Sequence, residues 1–268
     1  MMLYLLSRAS WPVLEQLGSE ETLCAFDFDG TLSPVVAHPE DARMRDQTRS
    51  LLSILATRYP CIVISGRART DVLDKLNGVN VERVIGNHGA ETERTSSNSQ
   101  GLVLQWQTAL QSSLQPLPGV WVENKGLSLT VHYRQSPQKI KARRRILQAA
   151  QSLQHVRVFG GKHVVNFVED RAPHKGDVLA AERDRLACKW VLYVGDDDSD
   201  EDAFALDGNI VPVRVGLKRM SHARYYLRSQ KEIEKLLDLL CSMRPNGTGD
   251  LVSAGTSRTG SMEPTLPE

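Results

Sequence analysis

Cys24-Ala25-Phe26-Asp27-Phe28-Asp29-Gly30-Thr31-Leu32-Ser33-Pro34 is the stretch whose reading decides the rest of the chain. The apolar run Leu23 to Phe28 reads as a buried strand that ends in two carboxylates with one residue between them. Side chains alternate along a strand, so Asp27 and Asp29 would share a face if the strand ran on. Gly30 and Pro34 open a loop instead. Both acids therefore sit at the carboxyl end of the strand, where open α/β sheets bind their ligands. Two carboxylates this close repel unless a cation or a proton lies between them. An Asp-Gly pair alone would mark only a turn; the full string Asp-Phe-Asp-Gly-Thr-Leu is far more specific.

The neighbouring segments fit a parallel sheet. Before the motif, Trp11 to Leu17 is a short helix; after it, Leu51, Leu52, Ile54 and Leu55 recur at helical spacing between Asp46 and Tyr59. Pro60 stops that helix, and Cys61-Ile62-Val63-Ile64 is a second buried strand ending at Ser65-Gly66-Arg67. A helix over Thr70 to Leu76 and a strand over Val81 to Ile85 follow, closed by Gly86-Asn87-His88-Gly89. This alternation predicts parallel pairing through right-handed crossovers. The rhythm then breaks. Thr95 to Gly101 is polar, a hinge candidate, and Leu102 to Leu114 is a helix closed by Pro116. In the segment Leu127 to Arg134, Leu127, Leu129, Val131 and Tyr133 face one way, while Ser128, Thr130, His132 and Arg134 face the other. Such alternation predicts an antiparallel sheet with one wet face. With Val120 to Glu123, a basic helix Gln138 to Leu153, and strands Val156 to Phe159 and His163 to Val168, it makes an inserted αββαββ block.

The parallel pattern resumes with a helix Asp177 to Leu186 and a strand Trp190 to Val194. Ile210-Val211-Pro212-Val213 reads as an edge strand, because proline cannot donate to a central ladder. Ile233 to Leu240 is an amphipathic last helix. The expected organisation is an α/β protein: a Rossmann-like parallel-sheet core from residues 1–91 and 173–243, an α+β cap at 92–172, and a disordered tail at 244–268.

The bulk numbers exclude several classes. In 268 residues, 41% are hydrophobic and 24% charged, with a net charge of +1. That balance offers no field for nucleic acid or acidic lipid. The four cysteines (Cys24, Cys61, Cys188, Cys241) show no paired spacing, which suits a reducing cytoplasm. Met1 to Leu6 is apolar but too short for a signal or a membrane span. The expectation is a cytoplasmic protein with no membrane partner.

Asp196-Asp197-Asp198-Ser199-Asp200-Glu201-Asp202 holds six acids in seven positions directly after a buried strand. A solvated loop would account for the charges but not for their place at the sheet edge that bears Asp27. Hard oxygen donors gathered there suit Mg²⁺, which takes one or two carboxylates, waters and substrate phosphate. Asp27-x-Asp29, then Ser65 after a strand, then Lys175, then Gly195-Asp-Asp-x-Ser-Asp200 resemble, in order, the four motifs of the haloacid dehalogenase-like phosphatases.

The resemblance implies a Rossmannoid core with a C2-type cap, and a role for each motif residue. Asp27 is the expected nucleophile, forming an aspartyl-phosphate. Asp29 is the expected acid and base, a role helped by an anionic neighbour. Ser65 and Lys175 hold the transferring phosphoryl group. Asp196 binds Mg²⁺ together with Asp27 and the Asp29 carbonyl, and Asp200 binds or orients it. More narrowly, Ile64-Ser-Gly-Arg67, Gly86-Asn-His-Gly-Ala-Glu91, Val122-Glu-Asn-Lys-Gly126, His132-Tyr-Arg134 and Gly161-Lys162-His-Val-Val165 resemble the trehalose-6-phosphate phosphatase family. That likeness implies a sugar-phosphate substrate met by Arg67, Asn87, His88, Glu123, Lys125, Lys162 and Asn166. It also implies functional pairing with a trehalose-6-phosphate synthase. Asn166 departs from the family pattern, which has Glu there; an amide both donates and accepts where a carboxylate only accepts. The departure keeps other glycosyl phosphates open, such as glucosylglycerol or mannosylglycerate phosphate. A silent sugar-phosphate sensor is a further alternative, but such a protein has no need of Asp27, Asp29, Lys175 and Asp196 together.

Overall fold

The computed structural model describes residues 2–93, 99–115 and 117–244. Pro116, most of the expected Thr95–Gly101 hinge and the expected tail beyond Arg244 lie outside the described residues. The quoted stretch opens on β2 (Thr22–Phe26), every residue of which is buried. Its apolar run is continuous because both edges and both faces are covered. β9 (Trp190–Gly195) pairs with it on one side and β3 (Cys61–Ile64) on the other, both parallel. β4 (Arg83–Ile85) extends the sheet beyond β3; β10 (Ile210–Val215), β11 (Tyr225–Leu227) and β1 (Leu3–Tyr4) extend it beyond β9. The order is β1-β11-β10-β9-β2-β3-β4.

Alternation along β2 feeds two cores. Cys24 and Phe26 pack with Cys61, Val63, Leu192 and Val194 under helices α1 (Trp11–Ser19), α2 (Asp46–Ala56), α3 (Arg69–Leu76) and α8 (Ile233–Met243). Leu23 and Ala25 pack on the opposite face with Ile62, Ile64, Val191 and Tyr193, beneath α6 (Lys175–Arg185) and α7 (Glu201–Phe204). A fully buried phenylalanine such as Phe26 contributes about 1.5–3 kcal/mol relative to exposure. Asp27 is thus anchored by a strand buried along its whole length. The chain runs outward from β2 to β3 and β4 and later returns on the other side at β9. The carboxyl ends of β2 and β9 therefore flank a topological switch point.

Two expectations change. β10 is an interior strand between β9 and β11, not an edge. Pro212 is tolerated because pairing with β11 starts only at Val213, while the Pro212 carbonyl still accepts from the Arg224 amide. β1 and β11, two and three residues long, carry too little pattern to be read from sequence.

The inserted block folds as α4 (Gln100–Leu114), β5 (Trp121–Asn124), β6 (Ser128–His132), α5 (Lys139–Ala150), β7 (Val156–Gly161) and β8 (Val164–Glu169). Its antiparallel sheet has the order β5-β6-β8-β7. Leu129, Val131, Val165 and Phe167 face α4 and α5. The polar face is not wet as expected: Ser128 and Thr130 are buried, because that face closes on the core. Among the described residues no helix is long and apolar enough to cross a membrane, and all four cysteines are free and buried.

Candidate active site

Asp27 leaves β2 with its amide still donating to the Val194 carbonyl of β9 at 2.9 Å. The chain then turns sharply at Gly30, where φ is +82° and a Cβ would fall 2.0 Å from Asp196 Oδ2. Glycine alone meets both demands. Asp27, Asp196 and Asp200, all buried, bring carboxylate oxygens within 4.8 Å of one another. Beneath them lies Lys175, the first residue of α6 and only 1% exposed. A reciprocal cap between His174 and Asp177 starts that helix and aims the lysine. Its Nζ donates to Asp27 Oδ1 and to Asp200 Oδ1, each at 2.7 Å.

The two carboxylates share one ammonium unequally. Asp200 Oδ1 also accepts from the Tyr193 hydroxyl at 2.7 Å, and its Oδ2 accepts from the amides of Asp196 and Asp197, each at 2.9 Å. Burial works to raise Asp200, but Lys175 and these donors outweigh it and hold the acid below its ordinary value. Both of its oxygens are engaged by protein donors. Asp27 lacks such donors; burial, and then the Asp200 and Asp196 charges, push it well above the usual carboxylate range against the pull of Lys175. Burial likewise pushes Asp196 up to about 7, although Lys162 from the β7–β8 turn of the cap bonds its Oδ2. Buried, mutually repelling hard oxygens make a donor set that fits a small divalent cation.

Sequence reasoning missed the group that holds this acidic loop. Arg214 of β10, 5% exposed, donates to the backbone carbonyls of Asp196 and Asp197 at 2.9 and 3.0 Å and pairs with Glu201 at 2.8 Å. An arginine inside a Val-rich strand was its only signal.

Asp29 is placed differently from expectation. Its carboxylate is not part of the acidic cluster. The neighbour it meets is a cation, not an anion: Arg67 Nε and Nη2 bind its two oxygens at 2.6 and 2.8 Å. Arg67 also donates to Asp71 and to the Pro39 carbonyl. Burial opposes its charge, but the Asp29 and Asp71 carboxylates outweigh burial and raise it. Arg67 lines the cavity, yet it is spent on orienting Asp29 more than on awaiting a ligand. Asp29 keeps a side-chain exposure of 40%, so water and substrate can reach it. Ser65 is buried at the end of β3, and its hydroxyl accepts from the Arg67 amide at 3.2 Å. It lies below the cavity surface, as do Asn87, Lys175 and Asp200.

Between core and cap is a cavity of about 890 Å³ including its open mouth. Asp27, Asp29, Arg67 and Asp196 form its floor; Glu123, Lys125, Thr130, His132, Arg134, Lys162 and Asn166 form the cap wall; Val35, Val36 and Ala37 add an apolar side. Glu123 Oε2 lies 2.7 Å from His132 Nε2 and 3.7 Å from Lys125 Nζ. Lys125 also donates to the Gly66 carbonyl at 3.0 Å, and burial lowers its pKa despite Glu123. Asn166 accepts from Thr130 at 2.9 Å.

Asn87 is not a cavity residue. Its amide bonds Glu91 and the Lys125 carbonyl, and its oxygen accepts from Ser128, so it fastens the cap to the core. His88 does line the cavity, at φ +59°, with its ring laid on Gly66; a Cβ on that glycine would fall 2.3 Å from His88 Cε1. Burial, reinforced by Lys125, Lys175 and Arg157, holds its pKa well below the ordinary value.

A sequence profile described as trehalose-phosphatase matches residues 25–242. The trehalose-phosphate phosphatase of Mycobacterium leprae is 34% identical over 221 residues, covering 71% of this chain and 50% of that protein. The Mycobacterium tuberculosis protein of the same name is 33% identical over 224 residues, covering 75% and 57%. The chain thus spans about half the length of the curated relatives it matches. Among solved structures, the C-terminal domain of C. albicans trehalose-6-phosphate phosphatase is similar at a TM-score of 0.77, with 21% identity, covering 91% of this chain and 99% of that one. The Aspergillus fumigatus trehalose-6-phosphate phosphatase is similar at 0.61, with 24% identity, covering 90% and 99%. At these identities the structural likeness shows a shared fold: a parallel α/β core with an inserted αββαββ block.

Proposed function

The chain belongs to the trehalose-phosphatase family, and we propose that it hydrolyses trehalose 6-phosphate to trehalose and phosphate through an aspartyl-phosphate on Asp27. One observation carries the reading: Asp27, held from beneath by Lys175 and Asp200, opens onto a cavity whose opposite wall holds Glu123, Lys125 and Lys162. Phosphate chemistry is thus set against hydroxyl-binding side chains. Residues 1–91 and 173–243 serve as the core and 92–172 as the cap.

In this reading Asp27 attacks phosphorus, breaking the bond to the sugar oxygen. Asp29, oriented by Arg67 and open to solvent, takes up a proton from water, gives it to that oxygen, and then takes one from the water that hydrolyses the acyl phosphate. Lys175 holds Asp27 in place and offsets the repulsion between its carboxylate and the phosphate. Ser65 supports the phosphoryl oxygens. Mg²⁺ is the cation proposed for Asp27 and Asp196, with Asp200 orienting the loop; when bound it neutralises charge on the phosphoryl group. The cap excludes bulk water and positions the sugar, a gating role. The free, buried cysteines support a reducing cytoplasmic setting, and a trehalose-6-phosphate synthase is the proposed functional partner that would supply the substrate.

Asn166 favours one second reading. Its amide at the cavity wall suits another glycosyl phosphate, such as glucosylglycerol or mannosylglycerate phosphate. The test is phosphate release with Mg²⁺ from these three esters and from p-nitrophenyl phosphate. Trehalose 6-phosphate is expected to have the highest kcat/KM. Lys125→Ala should lower its kcat/KM relative to p-nitrophenyl phosphate by about 10- to 150-fold, the loss of a charged hydrogen bond. Preference for either other sugar ester would replace the trehalose reading and keep the phosphatase.

A further inference from the structure

We propose that His132 reads a sugar hydroxyl through its Nδ1, with Glu123 and Trp121 acting to hold its imidazole in place; this rests on the sugar-phosphate reading above. β5 and β6 place Trp121 opposite His132 and Glu123 opposite Thr130. The four side chains share the cavity face of the cap sheet, since alternate residues of a strand point the same way. The Trp121 and His132 rings are stacked, with centroids 3.9 Å apart and planes within 5°. Glu123 Oε2 lies 2.7 Å from His132 Nε2. The imidazole is therefore clamped in both tilt and rotation.

The clamp also sets the tautomer. Burial works to raise Glu123, but the bond from His132 and then the Lys125 charge outweigh it and keep the carboxyl below its ordinary value. An ionised carboxylate only accepts, so Nε2 donates to it, and in the neutral imidazole that leaves the lone pair on Nδ1. Nδ1 makes no hydrogen bond among the described residues, and His132 lines the cavity. The rest of this wall is rich in groups that only donate: Lys125, Arg134 and Lys162. The Asn166 oxygen already accepts from Thr130, and Glu123 uses one oxygen on His132. A sugar hydroxyl both accepts and donates. The cations donate to its oxygen, and the His132 lone pair accepts from its O–H. Glu123 thus holds His132 with one oxygen and keeps the other for the sugar.

Three substitutions separate this from a merely supporting histidine. Asn carries its amide where Nδ1 stands, Gln carries it where Nε2 stands, and Phe keeps only the stacking ring. The readout is the ratio of kcat/KM for trehalose 6-phosphate to that for p-nitrophenyl phosphate, measured on one preparation, so loss of folded protein cancels. His132→Phe and His132→Gln should lower this ratio about 10-fold, the loss of one hydrogen bond that leaves its partner unpaired. His132→Asn keeps an acceptor at the Nδ1 position but loses the stack and the Glu123 bond, so its ratio should fall less than in His132→Phe or His132→Gln. Trp121→Ala should lower the ratio, and Trp121→Phe should restore it. If Gln matches wild type while Asn falls with Phe, His132 only supports Glu123 and the proposal is overturned. Equal ratios in all three variants overturn it as well. If the wild-type enzyme prefers a different glycosyl phosphate, the trehalose reading fails. The same ratios taken on the preferred ester then still decide the part of His132.

Discussion

Removing the Lys175 charge should unfold this protein far more readily than removing any surface charge. Lys175→Met keeps the stem but leaves Asp27 and Asp200, at 8% and 0% side-chain exposure, without their common cation. Breaking a buried pair from one side costs about 3–5 kcal/mol, because a charge is left unpaired in a poorly polarisable interior. Total stabilities lie near 5–15 kcal/mol, so the loss is a large share of the whole. For a chain of this size it corresponds to a fall in Tm of about 6–20 °C. Urea unfolding followed by far-UV circular dichroism, in chelator so that no cation compensates, measures it directly.

The structure adds a sharper condition. In Asp200→Asn, the amide oxygen can still accept from the Asp196 and Asp197 amides, while its NH₂ faces the Tyr193 hydroxyl and the Lys175 ammonium. That NH₂ is repelled by Lys175 but is a good donor to Tyr193 once residue 175 is Met. The double variant Lys175→Met/Asp200→Asn should therefore be more stable than Lys175→Met alone, with a coupling of about 1–3 kcal/mol. A loss below about 1 kcal/mol for Lys175→Met, or simple addition of the two losses, would refute the account of one ammonium holding two buried carboxylates.

Asp27→Asn should retain the circular dichroism of the wild type and lose more than about 10³-fold in kcat, or about 4 kcal/mol of barrier; a tenth of the activity remaining would exclude the covalent route. Chelation should abolish turnover and Mg²⁺ restore it, with Asp196→Asn needing more Mg²⁺ and Ca²⁺ substituting poorly, because Ca²⁺ takes more ligands at longer distances. Full activity in metal-free protein would remove the cation. His88 predicts an acid-sensitive fold. Its folded pKa is lowered by burial, so as pH falls below about 6.5 the unfolded imidazole takes up a proton that the folded one refuses. Stability then declines by up to about 1.4 kcal/mol per pH unit until the folded pKa is reached. His88→Asn, which suits the positive φ, should lose less between pH 7 and 5 in urea titrations, and an unchanged slope would count against a buried neutral His88.

The acidic motifs were readable because local chemistry announces them. An apolar run that ends in Asp27-x-Asp29-Gly30, and another that ends in Gly195-Asp196, define strands and the loops after them within a few residues. Helix and strand order followed from periodicity, and the cap sheet from the alternation Leu129, Val131 against Thr130, His132. Pro212 misled for a tertiary reason: whether a missing amide matters depends on where the neighbouring strand begins, and β11 begins one register position later. The partnerships inside the site were equally out of reach. Arg214 under the acidic loop, Tyr193 on Asp200, Arg67 on Asp29, Asn87 on Ser128 and Trp121 on His132 join residues by distances that follow from sheet register and cap docking. Residue type and order along the chain determine which chemistry is present. Which charge meets which carboxylate depends on contacts between segments far apart in sequence, and only the folded packing decides that.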